Sequence, residues 1–220
     1  VDIVVDSIMK KVVGKSATLL DYAEVSELNL NDDNEMKSFL DEKEKEVEKL
    51  TKVVVGKTLI DLDCTRDFIR KNGQSKMAYF ASTAILYKAS EADFSIVNGG
   101  GIRAAIGKGD VTWGDVVSVL PFGNQIVVLN VTGSQIHYLL RYGTRLYNQE
   151  EYGGFPIASG ISYTINLDKS WESEERISEL KIVGIDGKKE AVMIVNDDKH
   201  FYRLATTDFL YNGGDGYESI

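Results

Sequence analysis

A single cysteine, Cys64, rules out an internal disulfide, and two histidines, His137 and His200, are too few for a zinc centre without many carboxylates. With so few histidines no Ser-His-Asp constellation can be argued either. No run approaches the length of about 20 apolar residues that a membrane-spanning helix needs. The opening residues, Val1 to Lys11, carry acids and lysines where a secretory leader needs an unbroken apolar stretch, so the chain reads as beginning within a longer protein or as cytosolic. Basic residues are the minority: 25 Lys and Arg against 34 Asp and Glu give a net charge of −9. That charge repels polyanions at long range and argues against non-specific nucleic-acid binding. With 2 prolines, 20 glycines and 43% hydrophobic residues in 220, what remains is an ordinary globular composition, long enough to bury a sizeable core.

Residues 1–50 contain one glycine and no proline, and hold the charge run DEKEKEVEKL. From Asn34 onward Met36, Phe39, Leu40, Val47 and Leu50 recur at three-and-four spacing among Glu and Lys, which predicts one exposed amphipathic helix over residues 35–50 with Asp32 or Asp33 as its cap. KVVVGK, residues 52–57, suits a strand. Beyond it, strand and helix signals alternate: a core-facing helix capped by Ser75, the strand FSIV at 94–97 ending in NGGG, and the strand IVVLNV at 126–131 running into a helix capped by Thr132. ISYTI, ELKIVG, AVMIV and FYRLATT follow as strands, with IDGKKE as a turn. Hairpins in the second half argue against an all-parallel sheet. The fold class is α+β, a mixed sheet with packed helices, and no sequence repeat is present.

NGGGIR, Asn98 to Arg103, reads either as a tight turn or as a ligand loop. Glycines such as Gly100 let backbone approach a ligand, Asn98 offers donor and acceptor, and Arg103 supplies a charged fork suited to phosphate. Arg66 and Arg70 in RDFIR fall on one face, either converging on one anion or as surface partners of Asp61, Asp63 and Asp67. Phe122 lies on a turn beside Pro121, and Phe209 directly precedes LYNGGDG. Each ring is either a core anchor or one of two faces stacking on a flat ligand. Neither NGGDG nor DDNE has the alternating oxygen pattern of a calcium loop. His137 reads as a helix-surface or satisfied core histidine, and Cys64 as a small hydrophobe or quiet thiol.

Taken in order, NGGGIR, WGDVVSVLPFGN and TTDFLYNGGDGY resemble the C-terminal domain of the 5'-nucleotidase family, which includes bacterial UDP-sugar hydrolases and cyclic-nucleotide phosphodiesterases. The resemblance runs from about Lys52 to Ile220 and implies a 51–220 substrate-binding domain, with residues 1–50 as the tail of a preceding metallophosphoesterase domain and its connector helix. It implies a bipartite, metal-dependent phosphohydrolase of nucleotide catabolism. Two divalent metal ions and the catalytic residues belong to the N-terminal domain, so that this chain needs no cofactor of its own and has no catalytic residues. The partners implied are a nucleotide or nucleoside ligand and that N-terminal domain of the same polypeptide. The family pattern falls on Phe122 and Phe209 as a base sandwich and on Asp215 as the ribose contact. Asn98, Gly100 and Arg103 of NGGGIR, with Arg66 and Arg70, are the further ligand residues. The family's TNxG-like start of the following helix is replaced here by QSKMA, with Lys76 and Ala78 at its Asn and Gly positions. Bacterial members are largely exported, which implies a periplasmic, cell-surface or secreted site. The related alternatives are a 2',3'-cyclic-nucleotide phosphodiesterase/3'-nucleotidase and a non-catalytic surface binding module.

Neither GNHE nor GHxH occurs in the chain, and its one D-x-H triplet, Asp198-Lys199-His200, lacks those companion metal motifs. By itself the chain is therefore expected not to hydrolyse AMP with manganese, zinc or magnesium. A metal-dependent turnover that survives stringent purification overturns this.

Overall fold

The computed structural model of the chain describes residues 1–19, 21, 33–65, 69–70, 73, 75–185 and 190–217, and it divides into Val1–Lys49 and Leu50–Ile220. In the first unit, DIVVD and KVVGKS pair antiparallel as β1 (Asp2–Asp6) and β2 (Lys11–Ser16). The charge-rich segment is helical: α1 spans Asn34–Thr51, Asp33 caps it by accepting the Met36 N–H at 2.8 Å, and none of its residues is buried. Asp32 lies outside the described residues.

In the second unit, β3 (Val54–Thr58) begins two residues later than KVVVGK suggests and pairs antiparallel with β5 (Gly109–Thr112). Between them come α2 (Lys76–Lys88), whose start is capped by Ser75 Oγ accepting the Ala78 N–H at 3.1 Å, and β4 (Phe94–Asn98). The stretch before Pro121 holds a helix that periodicity did not signal, α3 (Trp113–Val119), begun by a Thr112–Asp115 capping box. β6 (Ile126–Thr132) then leads into α4 (Gly133–Gly143), again through a capping box, here Thr132 with Gln135. The strands β7 (Pro156–Ser159), β8 (Ile161–Ile165), β9 (Ile177–Ile182), β10 (Val192–Met193) and β11 (Phe201–Thr207) follow, and the single turn α5 (Asp208–Tyr211) closes the series. AVMIV contributes only β10 to its hairpin with β9, and part of the IDGKKE turn lies outside the described residues.

The main sheet has the order β6-β11-β4-β7. β11 and β4 are parallel, with Leu204 beside Phe94, and both outer pairs are antiparallel. β8, β9 and β10 form a second, antiparallel sheet. Period-two alternation explains how β4 can be buried throughout. Phe94 and Ile96 point into one core with Leu204, Ile136, Leu140 and Leu180, whereas Val97 points into the other with Met77, Ala81, Phe155 and Ile157. Ser95, on the α2 side, is satisfied by Ser82: their hydroxyls lie 2.9 Å apart and Ser95 donates to the Ser82 carbonyl at 2.8 Å.

Phe94 has no exposed surface, so Phe94→Ala should destabilise the domain by about 3–5 kcal/mol. Thr132→Ala, which deletes a cap, should cost about 1 kcal/mol. Urea unfolding measures both, and similar losses for the two variants would contradict this division between core and cap.

Candidate functional site

Strand direction places the site. β4 and β11 run the same way, so the segments after Asn98 and Thr207 emerge at one edge of the sheet. β6 and β7 run oppositely, and their first residues, Ile126 and Pro156, pair with Thr207 and Asn98. The segments before those strands therefore arrive at the same edge. Four stretches distant in sequence meet outside the carboxyl ends of the two parallel strands, the position at which ligands bind in sheets of this kind.

There they enclose a cleft of about 530 Å³. Asn98, Gly100 and Gly101 line it from the first segment, Phe122 and Asn124 from the one before β6, Gly153 from the one before β7, and Phe209 and Asp215 from the one after β11, with Arg70 beside them. A smaller, apolar recess of about 190 Å³ shares Asn98, Gly101, Phe122 and Asn124 with it, and Ile85, Val97 and Leu120 are among its walls. Phe122 is 60% exposed and Phe209 40%, unlike Phe94 in the core. Asn98, buried at the end of β4, donates its Nδ2–H to Asp215 Oδ2 at 2.8 Å. Asp215 itself has φ 55°, in the left-handed region that Asp tolerates better than most residues, between Gly213 and Gly216, which also have positive φ.

Most of the anticipated residues converge. Asn98, Gly100, Phe122, Phe209, Asp215 and Arg70 share the cleft. Arg103 lies at its margin: its guanidinium is 5.8 Å from the centre of the Phe122 ring, and Nη1 donates to the Gly100 carbonyl at 3.4 Å. Arg66 lies outside the described residues. The sequence reading missed Asn124, Gly153 and the adjoining Tyr152. Asn124 carries no signal beyond its place in PFGN, and Gly153 and Tyr152 are of residue types that advertise no chemistry.

His137 is in α4, away from the cleft; it is 8% exposed, its Nδ1 has no hydrogen-bond partner, and burial holds its pKa below the usual histidine value. Burial likewise pushes the Cys64 thiol up, which fits a quiet thiol. Among the described residues no three His, Cys, Asp or Glu side chains are grouped to hold a metal ion, and the one carboxylate in the cleft is bonded to Asn98. The donor set of the described cleft does not fit a two-metal centre. No helix among the described residues is long and apolar enough to cross a membrane.

The family described as "5'-nucleotidase, C-terminal domain" matches residues 54–220, and the chain belongs to it. The α+β arrangement, mixed sheet and packed helices are those of such domains. The chain is 42% identical over 187 residues to the trifunctional nucleotide phosphoesterase protein YfkN of Bacillus subtilis, a match covering 83% of this chain and 12% of YfkN. It is 30% identical over 207 residues to protein UshA of Escherichia coli, covering 94% of this chain and 33% of UshA. The crystal structure of a 5'-nucleotidase precursor from Thermus thermophilus superposes with a TM-score of 0.72 at 31% identity, over 82% of this chain and 34% of that one. The chain thus spans a third or less of the curated relatives just named.

Two tyrosine hydroxyls beside Asp215, that of half-buried Tyr152 and that of buried Tyr217, carry a pH signature. Burial pushes Tyr152 up to about 12 against the opposing pull of Arg145, and raises Tyr217 well above its ordinary value near 10. A tyrosine whose folded pKa is raised favours the fold fully below its unfolded pKa and loses that contribution as pH rises through the folded one. Stability measured by urea midpoint should therefore fall from about pH 10 towards about pH 12, and Tyr217→Phe should flatten the fall. A midpoint that holds or rises over this range would contradict it.

Proposed function

We propose that this domain recognises nucleosides and nucleotides on behalf of a 5'-nucleotidase-type phosphohydrolase. The carrying observation is that two exposed aromatic rings, Phe122 and Phe209, line one cleft with the hydrogen-bonded pair Asn98 and Asp215. On this reading the base stacks between the rings, a contact that any base can make because each has a π-face. The Asp215 carboxylate accepts from the ribose hydroxyls, and its bond from Asn98 holds one oxygen so that the other can be aimed. Arg70 and Arg103, with Arg66, attract the phosphate locally on a molecule of net charge −9. The phosphate is presented to an N-terminal metallophosphoesterase domain of the same polypeptide, which supplies two divalent metals. Residues 1–50 are read as the tail of that domain and its connector helix. Export to the periplasm, the cell surface or the medium completes the reading. Family membership and the names of YfkN, a nucleotide phosphoesterase, and of the Thermus 5'-nucleotidase precursor support it.

Calorimetric titration of the chain with adenosine tests the clamp. Phe122→Ala and Phe209→Ala should each remove about 1–3 kcal/mol of binding, with melting temperatures close to the parent because the rings are partly in solvent. If the rings are core anchors instead, each variant should lose about 3–5 kcal/mol of stability, and that result withdraws the assignment of this face.

A further inference from the structure

The segment before β7 contributes only Gly153 to the wall of the cleft, yet it bonds to three other stretches that form the site. The Tyr152 N–H donates to the Arg70 carbonyl at 3.0 Å, and the Gly100 N–H donates to the Gly153 carbonyl at 2.6 Å. The Tyr152 hydroxyl donates to the Asp215 carbonyl at 2.5 Å, and the Tyr217 hydroxyl to the Gly154 carbonyl at 2.6 Å. A side chain at Gly154 would meet the Tyr152 ring and hydroxyl at 2.3 Å and Asp215 Cβ at 2.8 Å, so only glycine permits this approach. Behind the ring, the Arg145 guanidinium lies 4.1 Å from the centre of Tyr152 and 3.8 Å from that of Tyr142, and its Nη1 donates to the Tyr142 carbonyl at 2.8 Å.

We propose that Tyr152 is a positioning residue for sugar recognition: its hydroxyl, on a ring held by Arg145, fixes the backbone of Asp215 so that the carboxylate meets Asn98 and the ribose hydroxyls together. This rests on the reading of Asp215 as the ribose contact. The physical need is clear in the NGGDG loop. Three of its five residues are glycine, and glycine loses the most conformational freedom on ordering. Asp215 also adopts a left-handed conformation that is unfavourable without support. Bonded at its carbonyl by Tyr152 and at its carboxylate by Asn98, Asp215 is held before any ligand arrives. Without the hydroxyl, that ordering would be charged against binding. Burial keeps Tyr152 protonated to about pH 12, so the donor persists at every physiological pH.

The test compares adenosine with 2',3'-dideoxyadenosine, which lacks both sugar hydroxyls, on the whole chain and its Tyr152→Phe variant. The parent should prefer adenosine. The variant should lose roughly threefold to tenfold of its adenosine affinity, the range for one hydrogen bond, while dideoxyadenosine binds as before, and the Asn98 side-chain amide signals in a 15N spectrum should shift or broaden. A parent that binds both ligands equally, or neither, defeats the ribose reading itself and this proposal with it. A parent with the preference and a variant that retains it in full overturns the positioning role alone. Equal loss of both ligands makes Tyr152 merely structural, which also overturns it. Should Tyr152→Phe not fold, Arg145→Lys, which keeps the charge but loses the planar stack, should show the same selective loss, and full retention of the preference in that variant refutes the proposal.

Discussion

The parallel pairing of β4 and β11 is the constraint on which the site depends. It joins residues more than a hundred positions apart in the chain, Phe94 with Leu204 and Ser95 with Ala205, and its direction decides where everything else goes. Had β11 paired antiparallel, α5 and the NGGDG loop would leave from the opposite edge and Asp215 could not reach Asn98. The pairing is held by packing more than by its short ladder. Leu204 and Ala205 are without exposed surface on opposite faces of the sheet, and Thr206 Oγ1 donates to the Ile96 carbonyl at 2.7 Å. Contacts so far apart in sequence close slowly, because chain entropy is lost before burial compensates. The cleft is therefore expected to be one of the last features to form.

Much of the fold was legible from local pattern because local physics dictates it. Ser75 and Thr132 cap the helices that their spacing announced, and the apolar run at 94–97 is the buried central strand. α3 went unannounced because its seven residues are too few to display a period, although Thr112 and Asp115 spell a capping box. The site was legible where residue type is itself informative: glycine beside Asn and Arg, Phe on turns, Asp among glycines. Tyr152 and Gly153 were not, since a tyrosine and a glycine in a loop fit countless roles. Only the antiparallel course of β7 against β4, with Pro156 beside Asn98, brings them to the cleft, and strand order is not written in any local window.

On the proposed reading, the cleft divides its recognition between surfaces of different character. Phe122 and Phe209 offer area without donors or acceptors, and such contacts scarcely distinguish one base from another. Asn98 and Asp215 offer directed hydrogen bonding, and these two are bonded to each other and braced through the Tyr152 hydroxyl. Directed groups that are held in place discriminate strongly, because a ligand lacking the matching hydroxyl leaves them unpaired. Stacking for the base and rigid polar contacts for the sugar make a domain that, on the proposed reading, selects nucleosides as a class more sharply than any one base. On the same reading, selection among bases falls to a polar group such as the Asn124 amide, two residues from Phe122 and part of the lining of both the cleft and the apolar recess beside it.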